Sequence, residues 1–285
     1  MTDAEQELRA AALPVATSLA REAGALLRQR IGTRRQVAHK GTIDIVTDAD
    51  VAAEALIVAG LREAFPNFRL IGEEGSRTTA AEAASAAYGW VIDPLDGTTN
   101  FAHGYPHFAV SIALEHRGDP VVGVVYDPMR DELFAAVAGG GATLNGEPIA
   151  VSSATSLIAS LLATGFPYDL TQREESTALR IAFNNQTQGV RRDGSAALNL
   201  CYVAAGRLDG FYERPLNAWD IGAGALIVRE AGGVVTAYDG GPFDLYGREI
   251  LACAPGVHGA MVAVIAETRR ASGVVAESTV PPGIV

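Results

Sequence analysis

Two carboxylates three residues apart, Asp93 and Asp96, stand near the middle of one conspicuous turn, with Pro94 stiffening the chain between them. This spacing lets both side chains converge while the backbone carbonyl of Leu95 points to the same place. Hard divalent cations prefer oxygen ligands of this kind, and the geometry suits Mg²⁺ with several waters left over. The sequence therefore predicts a magnesium site, although the same turn could serve only as an acidic helix cap.

A glycine and two threonines, Gly97, Thr98 and Thr99, follow directly. Glycine permits close backbone approach, and the next residues can open a helix whose free N–H groups face an anion. Metal ligands beside such a backbone make a place to hold a phosphate group. A pair of metal ions about 3.5–4 Å apart would activate water, neutralise the phosphoryl oxygens and stabilise the leaving alkoxide. The segment 93–100 therefore favours a metal-dependent phosphatase.

Further carboxylates occupy comparable places elsewhere. Glu73 follows a predicted strand over 69–72, while the next predicted strand, 88–92, leads into the acidic turn. Asp50 and Asp220 stand near the start of predicted helices, where an acidic residue can also be an ordinary cap. No His or Cys falls into zinc-like spacing, and no histidine sits in a recognisable triad motif. Clustered carboxylates are thus the chemistry that the sequence offers.

Bulk composition narrows the classes of function. The 285 residues are 48% hydrophobic and 19% charged, which is typical of a globular protein, and the formal charge is −11. Nucleic-acid binding needs an excess of Lys and Arg, so that class is disfavoured. The acidic start is no signal peptide, and no apolar run approaches the ~20 residues that span a bilayer. Two cysteines far apart imply no disulfide framework. We expect a cytoplasmic protein without a membrane partner.

Two helices are predicted before the acidic turn. The first covers about 14–31, where apolar residues recur at helical spacing. Thr47 or Asp48 can cap the second. Its apolar positions include Val51, Ala55, Val58 and Phe65.

The rest of the chain predicts a layered α+β fold, β-rich first and alternating later. Residues 107–137 are rich in strands, whereas strands and helices alternate after about residue 150. We therefore expect a mixed or antiparallel N-terminal sheet and a second, α/β-like C-terminal sheet. The predicted organisation is an N-terminal lobe over 1–150 with most metal ligands, a C-terminal lobe over 151–270 with Asp220 and substrate contacts, and a disordered tail over 271–285.

Three segments, 71–74, 90–101 and 219–220, closely resemble motifs of the inositol monophosphatase family. They read Ile-Gly-Glu-Glu, Trp-Val-Ile-Asp-Pro-Leu-Asp-Gly-Thr-Thr-Asn-Phe and Trp-Asp. The likeness continues through 108–112, 230–233 and 241–245 and covers roughly residues 10–268. It implies the layered αβαβα sugar-phosphatase fold, two or three Mg²⁺ ions as cofactor and, commonly, inhibition by Li⁺.

The resemblance also implies individual roles. Glu73, Thr98 and Asp50 match catalytic positions, because Thr98 matches the residue that orients the attacking water and Asp50 its carboxylate partner. The implied metal ligands are Glu73, Asp93, the carbonyl of Leu95, Asp96 and Asp220. The implied substrate-binding residues are Asp96, Gly97, Thr98, Gly194, Ser195, Ala196 and Glu213.

One of these residues and one further residue bear on specificity. Glu213 matches a carboxylate that hydrogen-bonds inositol hydroxyls, and Lys40 matches a basic residue near the entrance. The chain departs from the family at Pro215, which places the setting of Glu213 in question, and at Gly222, where alanine is usual.

The function expected from these residues is Mg²⁺-dependent hydrolysis of a small polyol phosphate, first of all myo-inositol 1-phosphate. Glu213 favours a polyol because a carboxylate accepts hydrogen bonds from hydroxyls and repels a second phosphate. Histidinol phosphate and fructose 1,6-bisphosphate stay open as alternative substrates, since relatives with such sites hydrolyse them. A second role as a partner of the transcription machinery, known among bacterial relatives, also stays open. The family further implies a homodimer.

Overall fold

A computed structural model describes residues 2–32, 37–39, 45–78 and 86–272. Lys40 and residues 273–285 of the predicted tail lie outside them. The α-helices are α1 (Asp3–Arg30), α2 (Asp48–Ala64), α3 (Thr98–Ala102), α4 (Arg173–Asn184), α5 (Ala196–Ala204), α6 (Ala218–Glu230) and α7 (His258–Ser272). The strands are β1 (Val37–His39), β2 (Ile45–Thr47), β3 (Arg69–Gly72), β4 (Tyr88–Asp96), β5 (Ala109–His116), β6 (Asp119–Asp127), β7 (Glu132–Val137), β8 (Ala142–Leu144), β9 (Glu147–Pro148), β10 (Leu161–Thr164), β11 (Gly189–Arg191), β12 (Gly210–Glu213), β13 (Val234–Thr236) and β14 (Ile250–Cys253).

The larger sheet has seven strands in sequence order from β3 to β9. β3 pairs with β4 in parallel, and each later pair is antiparallel. Its central strands are buried along almost their whole length, because helices cover both faces. Trp90 and Ile92 of β4 contribute to one apolar core, while Val91 between them contributes to the other. This two-residue alternation explains why those segments are continuous apolar runs.

The second large sheet has five strands in the order β11-β10-β12-β14-β13, while β1 and β2 pair with each other as a separate antiparallel two-stranded sheet. β10 lies parallel to both of its neighbours, and β14 is antiparallel to β12 and β13. Phe211 packs on the same core as α5 and α6, whereas Tyr212 faces a third core with α4 and α7.

The layers are therefore α1 and α2, the seven-stranded sheet, α5 and α6, the five-stranded sheet, and finally α4 and α7. This confirms the predicted αβαβα class and both sheets. The division into lobes near residue 150 stays a prediction. In the described part of the chain, no helix has the length and apolar character needed to cross a membrane.

The two N-terminal helices differ from their predicted form. α1 begins at Asp3, where Thr2 and Glu5 form a capping box, and Pro14 lies inside it, so the predicted start near residue 14 was wrong. In α2, Val51 is 55% exposed and Ala55 is exposed as well. The buried face of α2 instead includes two carboxylates, Asp50 and Glu54, and the apolar residues Ala53, Ile57, Val58 and Leu61.

Candidate active site

The acidic turn (residues 93–100) begins inside β4. The register against β5 shifts between Asp93 and Asp96, so the strand continues past Pro94 with a local irregularity. Both carboxylates are buried. Asp93 accepts a hydrogen bond from the N–H of Leu95 at 2.9 Å, which folds the turn over its own side chain. Two buried acids are thus held close together at one edge of the sheet.

Asp96 joins this turn to the other sheet through the start of α5. Its Oδ2 accepts from the Ser195 hydroxyl at 2.6 Å and from the N–H of Ala197 at 2.7 Å. Its Oδ1 accepts from the N–H of Ala196 at 3.3 Å. A carboxylate is favourable at a helix N-terminus because unpaired N–H groups point at it. Ser195 is the N-cap of α5, and Asp96, about 100 residues away in sequence, accepts from other N–H groups at the start of that helix.

Thr98 and Asp50 form a buried pair. The Thr98 hydroxyl lies 2.9 Å from Asp50 Oδ1 and 3.0 Å from the carbonyl oxygen of Leu95. The other carboxylate oxygen of Asp50 accepts from the N–H and the hydroxyl of Thr47, the residue that caps α2. Burial raises the pKa of Asp50, and the bonds from the two threonines oppose that rise.

Asp220 lies in the first turn of α6, where it accepts from the N–H of Asn217 at 2.6 Å. It is therefore a helix cap, as one interpretation of the sequence held. Burial raises its pKa well above the usual range, and the charge of Glu73 is the next cause. Glu73 and Asp220 line the same cavity, so the end of β3 and the start of α6 meet there.

Glu73, Asp93, Asp96 and Asp220 form an acidic cluster, and their electrostatics distinguish them from ordinary helix-capping carboxylates. Burial raises the pKa of Asp93 well above its usual range, and three neighbouring carboxylates and a hydrogen bond with Glu73 raise it further. Burial also raises the pKa of Asp96 to about 6, although its hydrogen bonds lower it. Within the described ranges, no three His, Cys, Asp or Glu side chains form a ready-made metal site. The donors are all carboxylate oxygens, and their negative charges repel one another. A divalent cation bound among them would relieve that repulsion.

An open cavity of about 140 Å³ lies beside the cluster. Glu213, at the end of β12, faces it, and burial followed by the charge of Asp96 raises the pKa of Glu213 to about 8, against the effect of Arg192. A Cβ at Gly165 would overlap the Glu213 carboxylate, so a larger residue there would displace that side chain from its observed position. The cavity is lined by Glu73, Asp96, Thr99, Asn100, Thr164, Gly165, Phe166, Pro167, Tyr168, Arg192, Gly194, Ser195, Ala196, Asn199, Glu213, Pro215, Leu216, Asn217 and Asp220.

The predicted site residues therefore fall into two groups. The cavity wall includes the proposed ligands Glu73, Asp96 and Asp220 and the proposed substrate contacts Gly194, Ser195, Ala196 and Glu213. Behind the wall lie Asp93, Leu95 and the Thr98–Asp50 pair, with Gly97 as the left-handed N-cap of α3 at φ +101°. The Ser195 hydroxyl is engaged with Asp96 and with the N–H of Leu198. The roles of the predicted site residues in both groups stay predictions.

The sequence interpretation missed Glu54. Its two carboxylate oxygens accept from the N–H groups of Glu74 at 2.8 Å and Ser76 at 3.0 Å, and its side chain is buried. It thereby holds the turn that carries Glu73. The available signal was the four-residue spacing from Asp50, which places both acids on one helix face.

Similarity to known proteins agrees with this site. The profile of the inositol monophosphatase family matches residues 9–273. The chain belongs to the inositol monophosphatase family. As members of this family are phosphatases and generally depend on Mg²⁺, the protein is a phosphatase.

Two curated members of the family are similar over most of their length. Inositol-1-monophosphatase from Synechocystis is 45% identical over 258 residues, which cover 90% of this chain and 89% of that protein. The Nus factor SuhB from Escherichia coli K12 is 46% identical over 255 residues, covering 88% and 94%.

A solved member of the family, the extragenic suppressor protein SuhB from Bartonella henselae, matches with a TM-score of 0.84 and 40% identity, covering 88% of this chain and 97% of that one. An inositol monophosphate-bound structure of SaIMPase-II matches with a TM-score of 0.75 and 28% identity, covering 92% and 95%. The inositol monophosphatase fold is therefore shared across the matched residues.

Proposed function

We propose that this phosphatase hydrolyses a small polyol phosphate, with myo-inositol 1-phosphate as the first candidate substrate. The observation that carries the proposal is the buried oxygen cluster beside a polar cavity containing Glu213. A curated relative named inositol-1-monophosphatase and a matching structure with bound inositol monophosphate support the choice of substrate.

Mg²⁺ is the cofactor in this proposal, and two or three ions are expected. The ligands would be Glu73, Asp93, the carbonyl of Leu95, Asp96 and Asp220. Raised pKa values of three of these carboxyl groups support a cation, because burial and mutual repulsion disfavour their ionised forms. When bound, the metal supplies charge that stabilises the phosphoryl oxygens and activates a water.

The protein's own groups orient the reaction. Because Thr98 can give its hydroxyl proton to Asp50, its oxygen lone pairs are free to accept a hydrogen bond from the attacking water. The backbone N–H groups after Gly97 would bind the phosphate, and no side chain caps that helix start. In-line attack then releases inorganic phosphate and the alcohol without a covalent intermediate.

A panel of substrates tests this proposal directly. Phosphate release would be measured with myo-inositol 1-phosphate, histidinol phosphate and fructose 1,6-bisphosphate, with Mg²⁺ and with EDTA. We expect the highest kcat/KM with inositol 1-phosphate and no turnover in EDTA. Arg192 lines the same cavity and could offset the repulsion between Glu213 and a second phosphate, so the bisphosphate is the critical competitor. A higher kcat/KM for either competitor would reassign the substrate.

Glu213→Gln is expected to lower kcat/KM for inositol 1-phosphate about tenfold at pH 8.5 and much less at pH 6.5. The pKa of Glu213 is raised to about 8, so the wild-type side chain loses its carboxylate as the pH falls through that value and comes to resemble the amide. Steady-state kinetics at both pH values checks this, with p-nitrophenyl phosphate, which lacks the hydroxyls, as the control substrate. An equal loss at both pH values would contradict the role of the carboxylate.

A second role as a transcription partner is a separate candidate, favoured by relatives named Nus factor SuhB at 46% identity. Binding of the purified chain to purified RNA polymerase, measured by biolayer interferometry, tests it. The two roles are not mutually exclusive, because the proposed substrate contacts line one cavity. Homodimer formation, inhibition by Li⁺ and a cytoplasmic location stay predictions.

A further inference from the structure

The segment that carries the proposed substrate contacts, residues 192–196, lies between β11 and α5 and belongs to no helix or strand until Ala196. Such a segment needs bonds from other parts of the molecule to fix its position. Two side chains of the acidic turn supply them. Asp96 accepts from Ser195, Ala196 and Ala197, as described above. The second side chain is Asn100.

Asn100 bridges two backbone carbonyls that are far apart in sequence. Its amide nitrogen donates to the carbonyl oxygens of His107 and Asp193, each at 2.7 Å. Both protons of the amide are therefore used to hold the chain before β5 and the chain before α5 together. Because an amide has two donors in one plane, neither a carboxylate nor a hydroxyl can replace both bonds.

The glycines around Asn100 fit this bridge closely. Gly194 has a φ of +86°, and a Cβ there would lie 3.0 Å from the Asn100 amide nitrogen. A Cβ at Gly97 would lie 3.1 Å from the carbonyl oxygen of His107 and 3.2 Å from that of Gly194. Three backbone segments thus approach one another closely beside the Asn100 amide.

We propose that Asn100 is a positioning residue that fixes segment 192–196 against the acidic turn and thereby sets recognition of the substrate's alcohol. The proposal rests on the proposed function, in which Gly194 and Ala196 contact the substrate. Asp96 shares this task but is also a proposed metal ligand. Asn100 is not among the proposed metal ligands, so its substitution separates positioning of the segment from metal binding.

Asn100→Asp keeps the shape of the side chain but sets carboxylate oxygens against two carbonyl oxygens, and Asn100→Ala removes the donors without adding charge. We expect kcat/KM for inositol 1-phosphate to fall about tenfold in Asn100→Asp, chiefly through KM, and somewhat less in Asn100→Ala. With p-nitrophenyl phosphate, kcat/KM should stay within about threefold, because that substrate offers no polyol to segment 192–196. A loss shared equally by both substrates, or no loss, overturns the proposal.

Hydrogen–deuterium exchange tests the bridge without reference to turnover. Amides of peptides covering 192–198 should exchange faster in both variants, whereas those of β7 should not change. Asn185→Asp is the matched control, because it makes the same change in charge on an exposed residue after α4. Unchanged exchange over 192–198 overturns the proposal. If the wild-type protein did not hydrolyse inositol 1-phosphate, the proposed function would fail, and exchange alone would decide whether Asn100 fixes the segment.

Discussion

Asp93→Asn is expected to lower kcat by about a thousandfold or more at saturating Mg²⁺, because it removes a charged ligand from the metals that activate the water and neutralise the phosphate. The amide keeps the size of the side chain and can still accept a hydrogen bond from the N–H of Leu95. The change therefore removes charge while leaving the turn in place. Phosphate release from inositol 1-phosphate, titrated with Mg²⁺, measures the loss.

The same substitution should make the metal-free protein more stable. Burial and neighbouring carboxylates raise the pKa of Asp93, so ionising it costs folding free energy. This cost is absent below the pKa of the unfolded chain and develops as the pH rises towards the raised folded pKa. We expect Asp93→Asn in EDTA to raise Tm by about 3 °C or more at pH 8 and by less at pH 5.5. Added Mg²⁺ should stabilise the wild type more than the variant.

Asp119→Asn is the matched control, because Asp119 is exposed at the start of β6. It should change neither kcat nor the Mg²⁺-dependent rise in Tm. Near-normal turnover by Asp93→Asn at saturating Mg²⁺ would refute the metal-based mechanism. A variant that lost activity and was also less stable without metal would indicate a structural role for Asp93 in place of the ligand role.

The acidic turn was predictable because its chemistry is local. Asp93, Leu95 and Asp96 are neighbours in sequence, and the left-handed conformation of Gly97 follows from a residue type that adopts it without strain. Hydrophobic patterns predicted the buried strands, since strands covered on both faces are apolar throughout. The αβαβα order of the layers was implied by the family resemblance.

The face of α2 was not predictable from that pattern. Charged residues are normally exposed, so the apolar pattern predicts that Val51 and Ala55 face the core. Asp50 and Glu54 are buried instead, because Thr47, Thr98 and two backbone N–H groups satisfy their oxygens. A hydrophobic pattern cannot anticipate partners supplied from other parts of the fold.

Long-range bonds escaped prediction for a related reason. Asp96 binds the start of α5, and Asn100 binds the carbonyl of Asp193, each across more than ninety residues. No spacing in the sequence encodes such pairs, because the packing of two sheets on α5 and α6 creates them. The geometry of the site therefore depends on the packing of the layers as well as on the local sequence of the acidic turn.

The Thr98–Asp50 pair gives the second large expected effect. Thr98→Ala should lower kcat about a hundredfold, because the attacking water loses the hydroxyl oxygen that orients it. Thr98→Ser keeps that hydroxyl and should stay within about tenfold of the wild type. Asp50→Asn should approach the loss in Thr98→Ala, since an amide in place of Asp50 changes the acceptor of the Thr98 proton.

A double-mutant cycle shows whether the two residues act as one unit. If Asp50 works by orienting the Thr98 hydroxyl, then Asp50→Asn should cost little more once Thr98 is already alanine. Thr143→Ala is the matched control, because that hydroxyl contacts only the backbone carbonyl of Ala135. Tm is measured for each variant, since Asp50 also accepts from the N–H of Thr47 at the start of α2. Fully additive losses, or a serine variant as slow as the alanine one, would show that the Thr98 hydroxyl does not orient the water through Asp50.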